Sequence, residues 1–373
     1  MITGDLDRLL APEIATLAAA TGHGTTPAGG ITSAGTWEPA PPGSAPGPGT
    51  YATPVAFRLA GGDAAQAVRV AMTLAAAVRQ ADWVSSATVL DGYLTVRVTP
   101  DALAALAVRV AQAGPACAHS AALAGTTIAA PGDPGLASAP DWAQARRRLS
   151  ESISGRLAEA AGAHILPPCD AERLPRPTPV RAPAPSHEPP FTDVAASAVP
   201  ASGPVADAIA FAGSWAISYA LARLPPGAAT APDPGAAAAH HLGNPAYAVR
   251  YAHAHAASAL RQAADLGLRL GEAAESGYRL LTHPSEQWLL DELSWLPERV
   301  AGAARRARPD VLTRYLERLA GAYFDCQEAC PATGPGVKTG GPATVARLWL
   351  AAASGTALRA GLDLLGVDAP DRL

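Results

Sequence analysis

Asn244-Pro245-Ala246-Tyr247-Ala248-Val249-Arg250-Tyr251-Ala252-His253-Ala254-His255 opens the stretch that decides the fold, and Gly361-Leu362-Asp363-Leu364-Leu365-Gly366-Val367-Asp368-Ala369-Pro370 closes it. Tyr247 and Tyr251 stand one helical turn apart, and from Val205 the chain reads as helix almost to its end. Pro284, at a first-turn position, precedes Trp288, Leu289, Leu293 and Leu296, a stripe expected to be buried and to stop at Pro297. Leu312, Tyr315, Leu316, Leu319 and Tyr323 make a second stripe. Arg347, Leu350, Ala351, Leu358, Leu362 and Leu365 belong to a third, and the run from Pro331 to Pro342 carries the turn signals of a loop between them. Amphipathic helices with short connections predict an α-helical bundle over 205–373.

Outward from that bundle the pattern changes. Residues 64–80 form a helix candidate with Val68, Met72, Ala75 and Val78 on one face. Ser86–Leu90 and Tyr93–Val98 flank Asp91-Gly92, a two-residue hairpin signal. Thr99-Pro100 then supplies an N-cap hydroxyl and a first-turn proline for a helix over 102–113. Helix, hairpin and helix predict a small α/β module over 1–115, with Gly24–Gly49 as a loop inside it. Residues 116–204 read as a helix over 142–163, bearing Arg146, Arg147 and Arg148, then a proline-rich linker over 166–204. The fold class is α+β.

Composition bounds the function. A length of 373 residues, 49% hydrophobic and 16% charged, is enough for two or three packed units. No run of 18 apolar residues predicts a membrane span. The first ten residues lack the cationic and apolar segments of a signal peptide, and four cysteines make no disulfide framework, so a cytoplasmic location is expected. A net charge of −4 gives no global field for nucleic acid. Residues 1–115 carry 6 basic and 8 acidic groups, 116–200 carry 7 and 8, and 201–373 carry 15 and 16. Lys338 is the only lysine, so any phosphate contact rests mainly on arginine.

No catalytic constellation is present. There is no Gly-x-Ser-x-Gly elbow, and Gly336-Val337-Lys338-Thr339 has valine where a phosphate loop needs glycine. His253 and His255 lie on different helix faces, which argues against joint metal ligation. Cys326 and Cys330 share a face and read as small core residues. No cofactor, metal or small-molecule substrate is expected.

The quoted segments resemble the arginyl-tRNA synthetase family, whose anticodon-binding helical domain opens near NPxxYVQYAHAR and closes on GLxLLGVxAPxxM. Gly49-Thr50-Tyr51-Ala52-Thr53-Pro54-Val55-Ala56 is similar to the GDYATNVA segment of that family's amino-terminal additional domain, with Thr50 for the aspartate and Pro54 for the asparagine. Asp91–Val96 is similar to its GPGFLNF strand, and 207–223 to the stem-contacting helix after its catalytic core. The resemblance implies a bundle of the class I, DALR anticodon-binding type. The catalytic signatures are missing: no two histidines are three apart, as His-x-Gly-His requires, and one lysine cannot make a KMSKS loop. The 89 residues of 116–204 are also too few for a doubly wound nucleotide-binding sheet.

Two readings follow. In the first, the chain is a catalytically inactive relative that binds tRNA. The family then implies anticodon-side contacts at Arg250, Tyr251, His255, Tyr323 and Lys338, and elbow-side contacts at Tyr51 and Tyr93. In the second, it is a regulatory module that has lost tRNA binding and holds a protein partner, which fits the acidic balance and His255 in place of the family's arginine.

Overall fold

The computed structural model describes residues 1–20, 36–41, 46–166, 205–228, 231–268, 270, 278–333 and 341–373. Most of the proline-rich segment over 166–204, most of the Gly24–Gly49 loop and Lys338 lie outside the described residues.

The amino-terminal module is a three-stranded antiparallel sheet of order β1-β3-β2, built from β1 (Thr50–Thr53), β2 (Val84–Leu90) and β3 (Tyr93–Val98). Asp91 and Gly92 both take positive φ, 46° and 83°, the conformation of a tight hairpin turn whose twist matches the strands. A Cβ on Gly92 would lie 2.7 Å from the Phe57 ring, so glycine is required there twice over. Helices α2 (Val55–Leu59) and α3 (Ala64–Val78) pack on this sheet, and α1 (Ile2–Ala20) packs on α3. α3 is turned away from its expected orientation. It buries Ala67, Val70, Ala71, Leu74, Ala75 and Val78, while Val68 and Met72 are 36% and 61% exposed. Gln66, Arg69 and Thr73 lie at helical spacing on the outer side and must stay in water, so the opposite side, with Val70, Leu74 and Val78, is the one buried. Thr99 caps as expected, accepting from Ala102 N, but the helix after it is broken into α4 (Pro100–Ala104) and α5 (Leu106–Ala113).

The middle segment holds a unit the sequence did not signal. β4 (Thr127–Ala129) and β5 (His164–Leu166) pair in parallel, and α6 (Trp142–Ala160) is the crossover between them. Asp141 caps α6 by accepting from Gln144 N. Arg146, expected on a plain surface, instead donates to the carbonyls of Leu224, Pro225 and Ala228, and Arg156 Nε donates to Leu364 O at 2.9 Å.

The rest is helical, as the stripes predict: α7 (Val205–Ala212), α8 (Ser214–Arg223), α9 (Pro234–Ala238), α10 (Pro245–Asp265), α11 (Pro284–Ser294), α12 (Leu296–Arg306), α13 (Pro309–Ala329) and α14 (Pro342–Leu365). Leu289, Leu293, Leu296 and the whole second stripe are buried, but Trp288 is 43% exposed and is no part of the core. Glycine lets α13 and α14 pack closely, since a Cβ on Gly361 would lie 2.4 Å from Leu316 Cδ2. No single helix among the described residues is long and apolar enough to cross a membrane.

One continuous buried cluster runs from Ile2 through the sheet and α6 to Val367. The seam between module and bundle is therefore core. Gly49 N donates to Asp291 Oδ1 at 2.8 Å, Tyr51 OH bonds Ser294 Oγ at 2.8 Å, and the Tyr51 and Trp295 rings lie 5.0 Å apart.

Candidate nucleic-acid interface

The helix carrying the motif starts where its sequence dictates. Asn244 caps α10, its side chain accepting from Ala246 N and donating to the carbonyls of Ala237 and Ala239. Pro245 then occupies the first turn, where its missing N–H costs nothing. Tyr247, Tyr251 and His255 follow at intervals of four, which sets them in a row on one helix face.

That row is the middle of a longer aromatic strip. His240, just before the helix, stacks on Tyr247 with centroids 5.4 Å apart and planes 24° apart. Trp215 of α8 lies 6.4 Å beyond His240. Tyr247 stacks on Tyr251 at 5.8 Å and 15°, and Tyr251 meets Phe324 of α13 at 5.9 Å and His255 at 6.1 Å. His240 is exposed, and Trp215, Tyr247, Tyr251, His255 and Phe324 are half-buried. Rings packed on one another in this way restrain each other and stay partly exposed, so a stacking partner meets a surface that is already assembled.

Buried side chains set the strip from behind. The Arg250 guanidinium lies 3.9 Å over the Trp215 ring and pairs with Asp368 Oδ2 at 2.7 Å, leaving the residue 7% exposed. Tyr323 is fully buried, and its hydroxyl meets His255 Nδ1 at 2.8 Å. Burial pushes the His255 pKa down, which favours the neutral ring near pH 7. His253 faces inward to Gly355 O at 3.0 Å and Asp371 Oδ1 at 3.2 Å, consistent with the opposite faces expected for the two histidines.

The expected contact residues thus separate. Tyr251 and His255 lie on the strip. Arg250 and Tyr323 lie behind it as props, because their hydrogen bonds and packing are satisfied internally. Tyr51 is fully buried in the seam with its hydroxyl bonded to Ser294, so it offers no ring to an elbow nucleotide. Tyr93 is half-buried against Phe57 at 5.7 Å, on the amino-terminal module. Trp215, His240 and Phe324 were not among the expected contact residues, although the spacing of Tyr247, Tyr251 and His255 marks the face they extend. Among the basic groups, Arg308 pairs with Asp310 at 2.5 Å, and Arg305 and Arg306 end α12 exposed.

Comparison with known proteins overlaps this region in part, taking in Tyr251, His255 and Phe324. Residues 249–373 match the family model described as the DALR anticodon binding domain. Arginine–tRNA ligase of Micrococcus luteus is 38% identical over 172 residues, 45% of this chain and 30% of that protein. The Frankia alni enzyme is 45% identical over 131 residues, covering 35% and 23%, and that of Chloroflexus aggregans 43% over 134, covering 35% and 22%. The solved Thermus thermophilus arginyl-tRNA synthetase aligns with 66% of this chain and 40% of its own, at 18% identity and a TM-score of 0.35. The carboxy-terminal part of the chain is therefore similar in sequence to arginyl-tRNA synthetases and to the DALR anticodon binding domain. The chain spans less than a third of the length of these curated relatives.

Proposed function

We propose that this chain binds tRNA by its anticodon arm, through the aromatic strip, and that it does not itself charge that tRNA. The observation that carries the reading is the row Trp215–His240–Tyr247–Tyr251–Phe324, six or fewer ångströms at most steps and partly exposed, which runs into the residues that match the anticodon-binding family model. Unpaired loop bases stack on such rings regardless of sequence, at about 1–3 kcal/mol per base. Arg250, the cation against Trp215, is buried and paired with Asp368, which suits a ligand held by stacking more than by phosphate neutralisation. The absence of His-x-Gly-His and KMSKS motifs from the sequence supports the second half of the proposal, and a cytoplasmic location goes with it.

The test is tRNA affinity by gel shift at two salt concentrations. The double variant Tyr247→Leu/Tyr251→Leu is expected to lose about 10-fold or more, as one or two stacked bases require. Arg250→Ala is expected to weaken binding through Trp215, and Lys338→Ala to reduce the salt slope by roughly one contact. Arginine-dependent ATP–pyrophosphate exchange is expected at the buffer background. Undiminished affinity in folded strip variants would leave the second reading, a protein partner.

A further inference from the structure

A cleft of about 560 Å³ opens on the amino-terminal module between α1, the turn before β2 and the corner between α4 and α5. Three charged side chains line it, and the Met1 amino group lies within their field. Arg8 and Arg109 approach opposite oxygens of Asp5, the second pair at 2.6 Å, so two guanidinium groups share one carboxylate and a positive charge is left over. Both cations reach water, with side chains 74% and 45% exposed, and each bond to Asp5 uses one of a guanidinium's five N–H donors. The half-buried Trp83 lines the same cleft, together with the small side chains of Ala102 and Ala105, which leave room for a flat ring. The Trp83 carbonyl accepts Thr99 N–H at 2.9 Å, tying that turn to the cap of α4.

We propose that this cleft binds a phosphorylated nucleoside, its base against Trp83 and its phosphate on Arg8 and Arg109, at a site separate from the aromatic strip. Arginine forks match phosphate geometry, and a dianionic phosphate brings enough oxygens to engage both outward-facing guanidinium edges. A lone carboxylate would only duplicate Asp5, which already sits between them. A free nucleotide and an unpaired nucleotide of an RNA chain share this chemistry.

Calorimetric titration of the full chain with AMP and with adenosine tests it. Saturable binding of AMP is expected, with adenosine weaker by about tenfold or more for the lost phosphate contacts. Arg8→Ala/Arg109→Ala, both at the surface, is expected to lose about tenfold while melting like the wild type. Trp83→Leu is expected to weaken binding and Trp83→Phe to retain it. The Tyr247→Leu/Tyr251→Leu protein is expected to bind AMP normally, so loss of the strip reading leaves this one standing. Competition by a short unstructured RNA would assign the site to an RNA nucleotide, and absence of competition to a free one. No saturable AMP binding by the wild-type chain, or equal affinity in the double arginine variant, would overturn the proposal.

Discussion

Trp295→Ala is expected to lower the unfolding free energy by about 3–5 kcal/mol, the range for deleting a large buried aromatic side chain. Trp295 is 2% exposed, its ring packs on Tyr51, and its Nε1 donates to Asp291 Oδ2 at 3.1 Å. Truncation opens a cavity between module and bundle and removes a donor from a buried carboxylate at the same time. Trp295→Phe keeps most of the volume and loses that hydrogen bond, so about 1–3 kcal/mol is expected for it. Urea unfolding of both variants measures the difference. A cost below roughly 1 kcal/mol for alanine would mean that the seam collapses to fill the space.

Stability should also fall as pH rises from mildly acidic to mildly alkaline. Burial pushes the Asp291 carboxyl up to about 7, against the bonds from Gly49 N–H and the Trp295 indole that favour its charged form. Glu298 is likewise pushed up to about 7 by burial, with Arg305 opposing and Asp7 reinforcing. A carboxyl whose folded pKa is raised binds its proton more tightly in the folded chain. Its contribution is therefore whole below its unfolded pKa and lost as pH climbs through 7. Each group accounts for on the order of 2 kcal/mol between about pH 5.5 and pH 8.5. His255 works the other way. Its depressed pKa gives stability above the ordinary histidine range that is lost on acidification, so the optimum lies on the acid side of neutrality. Denaturant melts across this range check the slope, and Asp291→Asn should flatten it while losing one acceptor bond. A stability that rises steadily to pH 8.5 would contradict the assignment.

Much of the fold is legible in the residues. Asp91-Gly92 fixes the hairpin, Thr99-Pro100 and Asn244-Pro245 start helices, and the stripes through Leu312–Tyr323 and Leu350–Leu365 become core. What misled was composition without pattern. In α3 the large residues Val68 and Met72 suggest an inward face, but Gln66, Arg69 and Thr73 mark that side as the one in water. Trp288 looks like core because large apolar residues usually are, but its neighbour Leu289 takes the inward position. β4 and β5 are three residues each and pair across α6, which leaves no local alternation to read. The strip was half legible. Tyr247, Tyr251 and His255 announce their common face by spacing, whereas Trp215 and Phe324 join it from other helices, and only packing brings them there. Tyr51, Arg250 and Tyr323 show the converse: motif residues whose chemistry suits a ligand, turned inward by partners hundreds or tens of residues away.

The seam carries a cost in time. Gly49 waits for Asp291 and Tyr51 for Ser294, separations of 242 and 243 residues. At translation rates of about 5–20 residues per second, roughly 12–50 s pass between the emergence of the two sides. During that interval Tyr51 and its neighbours on β1 have no covering surface, and the half-made protein carries an apolar face through the crowded space around the ribosome. Newly made chains should therefore depend on holding chaperones far more than the finished molecule does.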